Sequence, residues 1–183
     1  MPRIPLAAGV FLTALLLLSA SLFSADPSAE YKLKAEMLER FTRFIDWPAG
    51  SSVSNPSVPF VIAVVGVNPF GSSLERLKEM KIKDKRVDVV EIKDLSELKS
   101  CQMIFISSSQ EKNLTEILSR IETKPVLTVG DTSGFAQKGV LINFYREGDF
   151  IRFEVNQSAI DVSGLKFSSR LMKLARIVKP GNK

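Results

Sequence analysis

The stretch that decides the fold covers residues 126–178, VLTVGDTSGFAQKGVLINFYREGDFIRFEVNQSAIDVSGLKFSSRLMKLARIV. It opens with an apolar strand that runs straight into a Gly-Asp-x-x-Gly turn. Residues 140–145 and 150–155 then read as two strands around Glu147-Gly148-Asp149, which predicts an antiparallel hairpin. A helix interrupted near Gly164 is expected to close the chain, and one apolar face of its last part comprises Leu171, Leu174, Ala175 and Val178.

The residues before this stretch alternate between strand and helix patterns. Residues 29–46 form an amphipathic pattern with Leu33, Met37, Phe41 and Phe44 on one face, Ser28 as N-cap and Pro48 as the stop. Uninterrupted apolar runs are typical of strands buried on both faces of a parallel sheet. Such runs predict strands at 59–66 and 103–107, a partly alternating pattern predicts one at 86–92, and a fourth strand is predicted at 125–129. Helical segments are predicted at 72–80, 94–98 and 110–121. The fold class expected is α/β, a mainly parallel sheet flanked by helices in Rossmann-like layers, with the C-terminal antiparallel hairpin.

The N-terminus has the features of a secretory signal peptide. Arg3 supplies the positive charge, residues 10–18 (VFLTALLLL) form the apolar segment, and Ser19-Ala20-Ser21 fits a cleavage site. We expect residues 1–21 to be removed and residues 22–183 to form one exported, periplasmic domain. Retention as an uncleaved anchor is the alternative, although the apolar run is short for a membrane span.

Composition excludes several kinds of function. The chain has 183 residues, a formal net charge of +5 and no His, so Ser-His-Asp and Cys-His catalysis are ruled out. Lysines are spread along the chain, whereas a nucleic-acid protein would concentrate them, so no nucleic-acid partner is expected. The single cysteine, Cys101, is interpreted as a buried apolar residue, with an intermolecular disulfide as the alternative.

Asp131 is the first candidate binding residue. It follows a predicted parallel strand, and the crevice at the carboxyl ends of such strands is where α/β sheets bind ligands. Its carboxylate is suited to accept hydrogen bonds from an amine or a backbone donor. The alternative is an Asx-type turn in which Asp131 caps its own loop.

The second strand of the hairpin carries the other polar candidates. Arg152, Glu154 and Asn156 share one face by the two-residue period of a strand. Arg152 and Glu154 are close enough to form a structural ion pair. The functional alternative is a polar patch, together with Asn143, that binds a small polar ligand or a partner chain, because a guanidinium suits carboxylate recognition.

Trp47 and Arg43 mark the end of the first helix. Trp47 is either a core anchor or an interface aromatic with neighbouring arginines. The loop at residues 66–71 is neither a dinucleotide-binding nor a P-loop motif, and the Ser107-Ser108-Ser109 run has no base to activate it. We therefore expect no catalytic residue, no metal site and no cofactor.

Several phrases together resemble the YfiR family, DUF4154, over about residues 35–178. They are FTRFIDWP, FVIAVVGVNPFG, VLTVGDTSGFAQKG, INF, IRFEVN and SSRLMKLARIV, and their order and spacing carry the likeness. The resemblance implies a periplasmic α/β regulator without catalytic activity. It also implies a homodimer that binds the periplasmic domain of an inner-membrane diguanylate cyclase of the YfiN type and represses it.

The resemblance implies further partners and one further site. An outer-membrane lipoprotein would relieve the repression, and other members are linked to sensor kinases, so a small-ligand sensor acting on such a kinase is the alternative. A small-molecule patch would include Arg152, with Glu154 two residues on. One cysteine cannot reproduce the disulfides of the family's namesake, so redox control is not expected here.

Overall fold

The computed structural model describes residues 27–93, 95, 101–122 and 124–179. The predicted signal peptide at residues 1–21 lies outside the described residues. So does the predicted helical turn at residues 94–98, except for Leu95.

The described elements follow one another in the order that the sequence predicts for an α/β fold. The helices are α1 (Pro27–Thr42), α2 (Leu114–Ile121), α3 (Gln157–Val162) and α4 (Ser169–Leu174). Short 3-10 helices cover Ser52–Ser54, Gly71–Glu79 and Ser108–Asn113. The strands are β1 (Ile45–Asp46), β2 (Phe60–Val65), β3 (Lys81–Ile82), β4 (Lys85–Ile92), β5 (Met103–Ile106), β6 (Leu127–Gly130), β7 (Ile142–Glu147), β8 (Phe150–Asn156), β9 (Lys166–Phe167) and β10 (Arg176–Val178).

The main sheet has the strand order β10-β8-β7-β6-β5-β2-β4-β3. The central strands β2, β5 and β6 are parallel to one another, and β4, β7 and β10 also pair with parallel neighbours. Strands β7 and β8 form the predicted antiparallel hairpin. The mainly parallel α/β architecture and its hairpin are therefore confirmed.

Each face of the sheet is covered by its own apolar layer, because the central strands are buried on both faces. On one face, α1 and the 3-10 helix Gly71–Glu79 bury Leu38, Phe41 and Leu74 against the sheet. On the other face, α2 buries Leu114, Ile117 and Ile121, and the loop between β6 and β7 adds Phe135. The free cysteine, Cys101, is buried in this second layer.

Helix α1 differs from its prediction at both ends and in its buried face. It begins at Pro27, so Ser28 lies inside the first turn and is not the N-cap. It ends at Thr42, because Ile45 and Asp46 leave the helix to pair with β9. The predicted face is wrong at Leu33, which is exposed; Leu38 takes the buried position instead.

The final helix is the other prediction that the structure overturns. Helix α4 ends at Leu174, because Ala175 adopts extended backbone angles. The next residues form β10, which pairs in parallel with β8, so that Ile177 lies opposite Val155. Leu171 is buried as expected, but Leu174 is 70 % exposed, so the four predicted residues do not share one buried helical face.

Candidate functional site

The hairpin of β7 and β8 has one apolar face and one polar face. On the apolar face, Phe144 stacks on Phe41 of α1 with ring centroids 5.6 Å apart, and Phe153 meets the same ring edge-on at 5.0 Å. On the opposite face, the strand register pairs Asn143 with Glu154, Tyr145 with Arg152, and Glu147 with Phe150. Strand β10 places Arg176 beside Glu154. These seven residues are called the hairpin face below.

The inner end of the hairpin face is a buried, charge-paired network. The side chain of Glu154 is 3 % exposed, and its carboxylate accepts hydrogen bonds from Arg176, whose Nε lies at 3.0 Å, and from Asn143 Nδ2 at 3.2 Å. The hydrogen bond to Glu154 is the main reason that the pKa of Arg176 is raised. Because a buried carboxylate is costly without a cation, Arg176 makes this position of Glu154 tolerable.

The predicted alternative of an ion pair between Arg152 and Glu154 is wrong. Arg152 turns toward the Gly148-Asp149 turn of the hairpin, where its Nε lies 3.3 Å from Glu147. Its guanidinium also lies over the Phe150 ring, 5.3 Å from the centroid. Glu154 instead bonds Arg176, which arrives from a strand that the sequence patterns did not indicate.

Asn143 and Asn156 hold the loop between β6 and β7 against the hairpin. Asn143 Nδ2 donates to the carbonyl of Thr132 at 3.0 Å, and Asn156 Nδ2 donates to that of Ala136 at 2.7 Å. Asn156 also caps α3, since its Oδ1 accepts from Ala159 N at 2.9 Å. Both asparagines are buried, so they position the backbone instead of forming an accessible polar patch with Arg152.

Asp131 accepts a hydrogen bond from an amine, and the amine belongs to the same chain. Lys34 Nζ lies 2.7 Å from its Oδ2, and the Tyr31 hydroxyl donates to the same oxygen at 2.8 Å. Lys34 also lies 2.7 Å from Glu30. The side chains of Lys34 and Asp131 are only 5 % and 7 % exposed. Among the described residues, the Asp131 carboxylate accepts no hydrogen bond from the backbone of its own loop, so the Asx-turn alternative is wrong. We call Glu30, Tyr31, Lys34 and Asp131 the Lys34 cluster.

The Lys34 cluster fastens α1 to the carboxyl end of β6. Burial, and then the hydrogen bond to Asp131, raise the pKa of Tyr31 well above its ordinary value, so the phenol stays protonated as a donor. The sequence analysis missed Lys34. A signal was present, because Lys34, Leu38 and Phe41 recur at the i, i+4, i+7 spacing of a buried helix face.

Arg43 and Trp47 lie apart from the hairpin face. Arg43 is exposed and bonds Glu39 at 2.8 Å, an interaction that raises the pKa of its guanidinium. It lines a cavity of about 310 Å³ between α1 and the 3-10 helix Gly71–Glu79. Trp47 packs edge-on against Phe60 of β2 at 5.5 Å, and β2 is separated from β7 by two strands. The structure thus does not bring these two residues together with Arg152.

The accessible part of the hairpin face is suited to binding. The Arg176 guanidinium lies over the ring of Tyr145, 3.8 Å from the ring centroid. Phe150 lies exposed beside Arg152. Both carboxylates of the face, Glu147 and Glu154, are already in ion pairs. Within the described ranges, no group of three or more His, Cys, Asp or Glu side chains is placed to hold a metal ion.

The fold and this face define an α/β protein with an exposed surface that is rich in arginine and aromatic residues. The chain belongs to the YfiR/HmsC-like family, DUF4154, whose family model matches residues 31–176. This is a regulatory, non-catalytic family of periplasmic proteins that acts in cyclic di-GMP signalling and interacts with membrane partners. No helix in the described part of the chain is long and apolar enough to cross a membrane.

Two solved structures share the fold at low sequence identity. A conserved domain protein from Vibrio cholerae O1 biovar El Tor matches with a TM-score of 0.57 and 8 % identity, over 80 % of this chain and 59 % of that one. The ABC domain from Streptococcus pneumoniae, solved with L-Trp, matches with a TM-score of 0.52 and 9 % identity, over 81 % and 60 %. This chain thus spans about three-fifths of either structure. No curated protein matches its sequence.

Proposed function

We propose that this chain is a periplasmic repressor of an inner-membrane diguanylate cyclase of the YfiN type and that it binds the periplasmic domain of that enzyme. In this proposal residues 1–21 are removed on export, residues 22–183 form one domain, and the active form is a homodimer. Family membership over residues 31–176 supports the compartment and the signalling system.

The observation that carries the proposal is the accessible part of the hairpin face. The side chains of Arg152 and Arg176 are each 53 % exposed, and Phe150 is exposed beside them. Arginine and aromatic residues are enriched among the side chains that dominate protein–protein binding. Because β7, β8 and β10 fix the backbone that carries these groups, docking does not have to order a loop, and the entropic cost is confined to side chains.

Repression through such a surface requires no chemistry. The repressor binds the inactive conformation of the cyclase more tightly than the active one and so shifts the population toward the inactive form. Two guanidinium groups favour a partner surface that presents carboxylates. Glu147 remains paired with Arg152 in the free protein, and an acidic group of the partner would take its place.

Complementation of a deletion strain tests this proposal. We expect deletion of the gene to raise cellular cyclic di-GMP, and we expect the wild-type gene to restore the original low level. Arg152→Glu should fail to restore it, because the substitution reverses the charge at the proposed interface. The matched control is Arg120→Glu on α2, since Arg120 is also exposed and also bonds a glutamate, Glu116, at 2.7 Å.

The outcomes separate the role of the chain from the role of the face. Unchanged cyclic di-GMP in the deletion strain would overturn the repressor function. If deletion raises cyclic di-GMP and the Arg152→Glu gene lowers it as well as the Arg120→Glu gene does, the repressor function stands. The hairpin face is then excluded as the interface. Thermal melting of both variants should match the wild type, because exposed ion pairs contribute about 0–1 kcal/mol.

A further inference from the structure

A second concave surface lies between α2, which packs in the second apolar layer, and α3, whose Ile160 packs in the first. Its volume is about 490 Å³, which is within the range of small-molecule sites. One wall comprises Thr115, Leu118, Ser119, Ile121 and Glu122 of α2 and its C-terminal end. The other wall comprises Ala159, Val162 and Ser163, and the floor is formed by Val126, Thr128, Gly139 and Leu141. We call this surface the α2–α3 groove.

The α2–α3 groove is apolar where a ligand chain would lie. Ile121, Val126 and Leu141 form a buried base, and Val162 stands 79 % exposed on the wall. Gly139 leaves the base open, because a Cβ there would approach Leu118 Cδ1 to 3.3 Å. A large apolar side chain left in solvent beside an apolar cleft favours an apolar ligand, since covering both surfaces removes them from water.

The hydroxyl groups that line the groove are largely engaged within the protein. Thr128 Oγ1 accepts a hydrogen bond from Leu141 N at 2.9 Å. Ser119 Oγ donates to the carbonyl of Glu116, and Ser163 Oγ donates to that of Ile160, each at 2.8 Å. A ligand therefore finds few free hydroxyl groups in the groove, and a sugar or a peptide backbone would lose hydrogen bonds on entering.

One cation of the groove has no ion pair among the described residues. Lys124 lies exposed at the C-terminal end of α2, whereas Lys138 is 3.5 Å from Glu111. Glu122 also lines the same end of the groove as Lys124. From Thr115 to Glu122 the α2 wall is about 10 Å long at 1.5 Å per residue. These features together specify a short apolar chain with an anionic head.

We propose that the α2–α3 groove binds a single-chain amphipathic carboxylate, with its alkyl chain between the helices and its carboxylate on Lys124. The site is separate from the hairpin face and does not depend on the repressor function. Glu122 opposes the carboxylate and so limits the affinity.

Calorimetry with sodium octanoate and octan-1-ol tests this assignment on the purified protein. Wild type should bind both. Lys124→Gln should weaken octanoate binding about threefold, the scale of an exposed ion pair, and leave octanol binding unchanged. Glu122→Gln should strengthen octanoate a few-fold by removing a like charge. The control is Lys166→Gln, an exposed lysine on β9 away from the groove, which should alter neither.

Both charge variants replace exposed side chains, so they should fold like the wild type, and circular dichroism checks this. The absence of octanoate binding to folded wild type would overturn the assignment. Octanoate binding that Lys124→Gln and Lys166→Gln change equally would also overturn it, because the carboxylate would then not lie on Lys124.

Discussion

At the scale of single residues, the chain uses its buried charges to join segments that are distant in sequence. Lys34 and Asp131 are 97 positions apart, and Arg176 and Glu154 are 22 apart. Sequence patterns identified Asp131 as a candidate hydrogen-bond acceptor and Glu154 as a candidate member of an ion pair, and the structure supplies Lys34 and Arg176 as their partners. They could not identify the partners themselves, because a periodic pattern reports which face a side chain occupies and not what faces it across the core.

The Lys34 cluster gives a prediction about stability. Lys34→Met should lower the free energy of unfolding by about 3 kcal/mol, because it leaves the buried Asp131 carboxylate without its cation. Asp131→Asn should cost less, since Lys34 keeps its contact with Glu30 at 2.7 Å. The double variant Lys34→Met with Asp131→Asn should be more stable than Lys34→Met alone. Urea unfolding measures all three.

A cost below about 1 kcal/mol for Lys34→Met would contradict the role of the cluster in holding α1.

Cys101 gives a prediction about alkaline pH. Burial raises the pKa of its thiol from 9.0 to about 11, against the weaker opposing effect of Lys124. Because the folded pKa exceeds the unfolded one, this contribution to stability is complete below about pH 9 and is lost as the pH rises through about 11. The loss should be roughly 2 kcal/mol, and Cys101→Ala should show a correspondingly flatter decline in urea unfolding between these pH values.

If wild type and Cys101→Ala lose stability equally across that pH range, the thiol is not desolvated in the folded protein.

At the scale of elements, the sequence predicted the strands and turns that are determined by a local residue pattern. The apolar runs that became β2 and β5 are uninterrupted, β6 is apolar except for Thr128, and the turn at Gly148 marks the hairpin, so these elements and their parallel or antiparallel pairing followed from the sequence. Strand β10 could not be foreseen. It is three residues long, has no two-residue alternation of burial, and exists because the edge of β8 offers unpaired backbone groups.

The attachment of β10 to β8 depends on Arg176. Arg176→Met should cost about 2 kcal/mol, because Glu154 would remain buried with Asn143 as its one remaining side-chain partner. Arg152→Met is the matched control, since its side chain is equally exposed and its partner Glu147 is exposed too, and it should cost under about 0.5 kcal/mol. Chemical denaturation measures both.

Adding Glu154→Gln to Arg176→Met should recover part of the loss, because it removes the unpaired buried charge. Equal costs for Arg176→Met and Arg152→Met would contradict the distinction between the buried and the exposed ion pair.

At the scale of the whole molecule, the two faces of the sheet carry different features. The layer with α1 is held by the Lys34 cluster and Phe41, and the hairpin face lies on the opposite side of the sheet from Phe41. The α2–α3 groove lies between α2, which packs in the second layer, and α3, whose Ile160 packs with the α1 layer. The family gives the compartment and the signalling system, and the hairpin face gives the proposed point of contact with the membrane enzyme. Export through residues 1–21 remains a prediction from the sequence.

Photocrosslinking in cells tests the central claim most directly. A photoreactive phenylalanine analogue replaces Phe150 on the hairpin face or, as the control, Glu116 on α2, both exposed positions. We expect the Phe150 position to crosslink an inner-membrane diguanylate cyclase and the Glu116 position not to do so. Crosslinking of that cyclase from position 116 and not from position 150 would contradict the account. So would the absence of crosslinking from both positions, in cells whose cyclic di-GMP the protein controls.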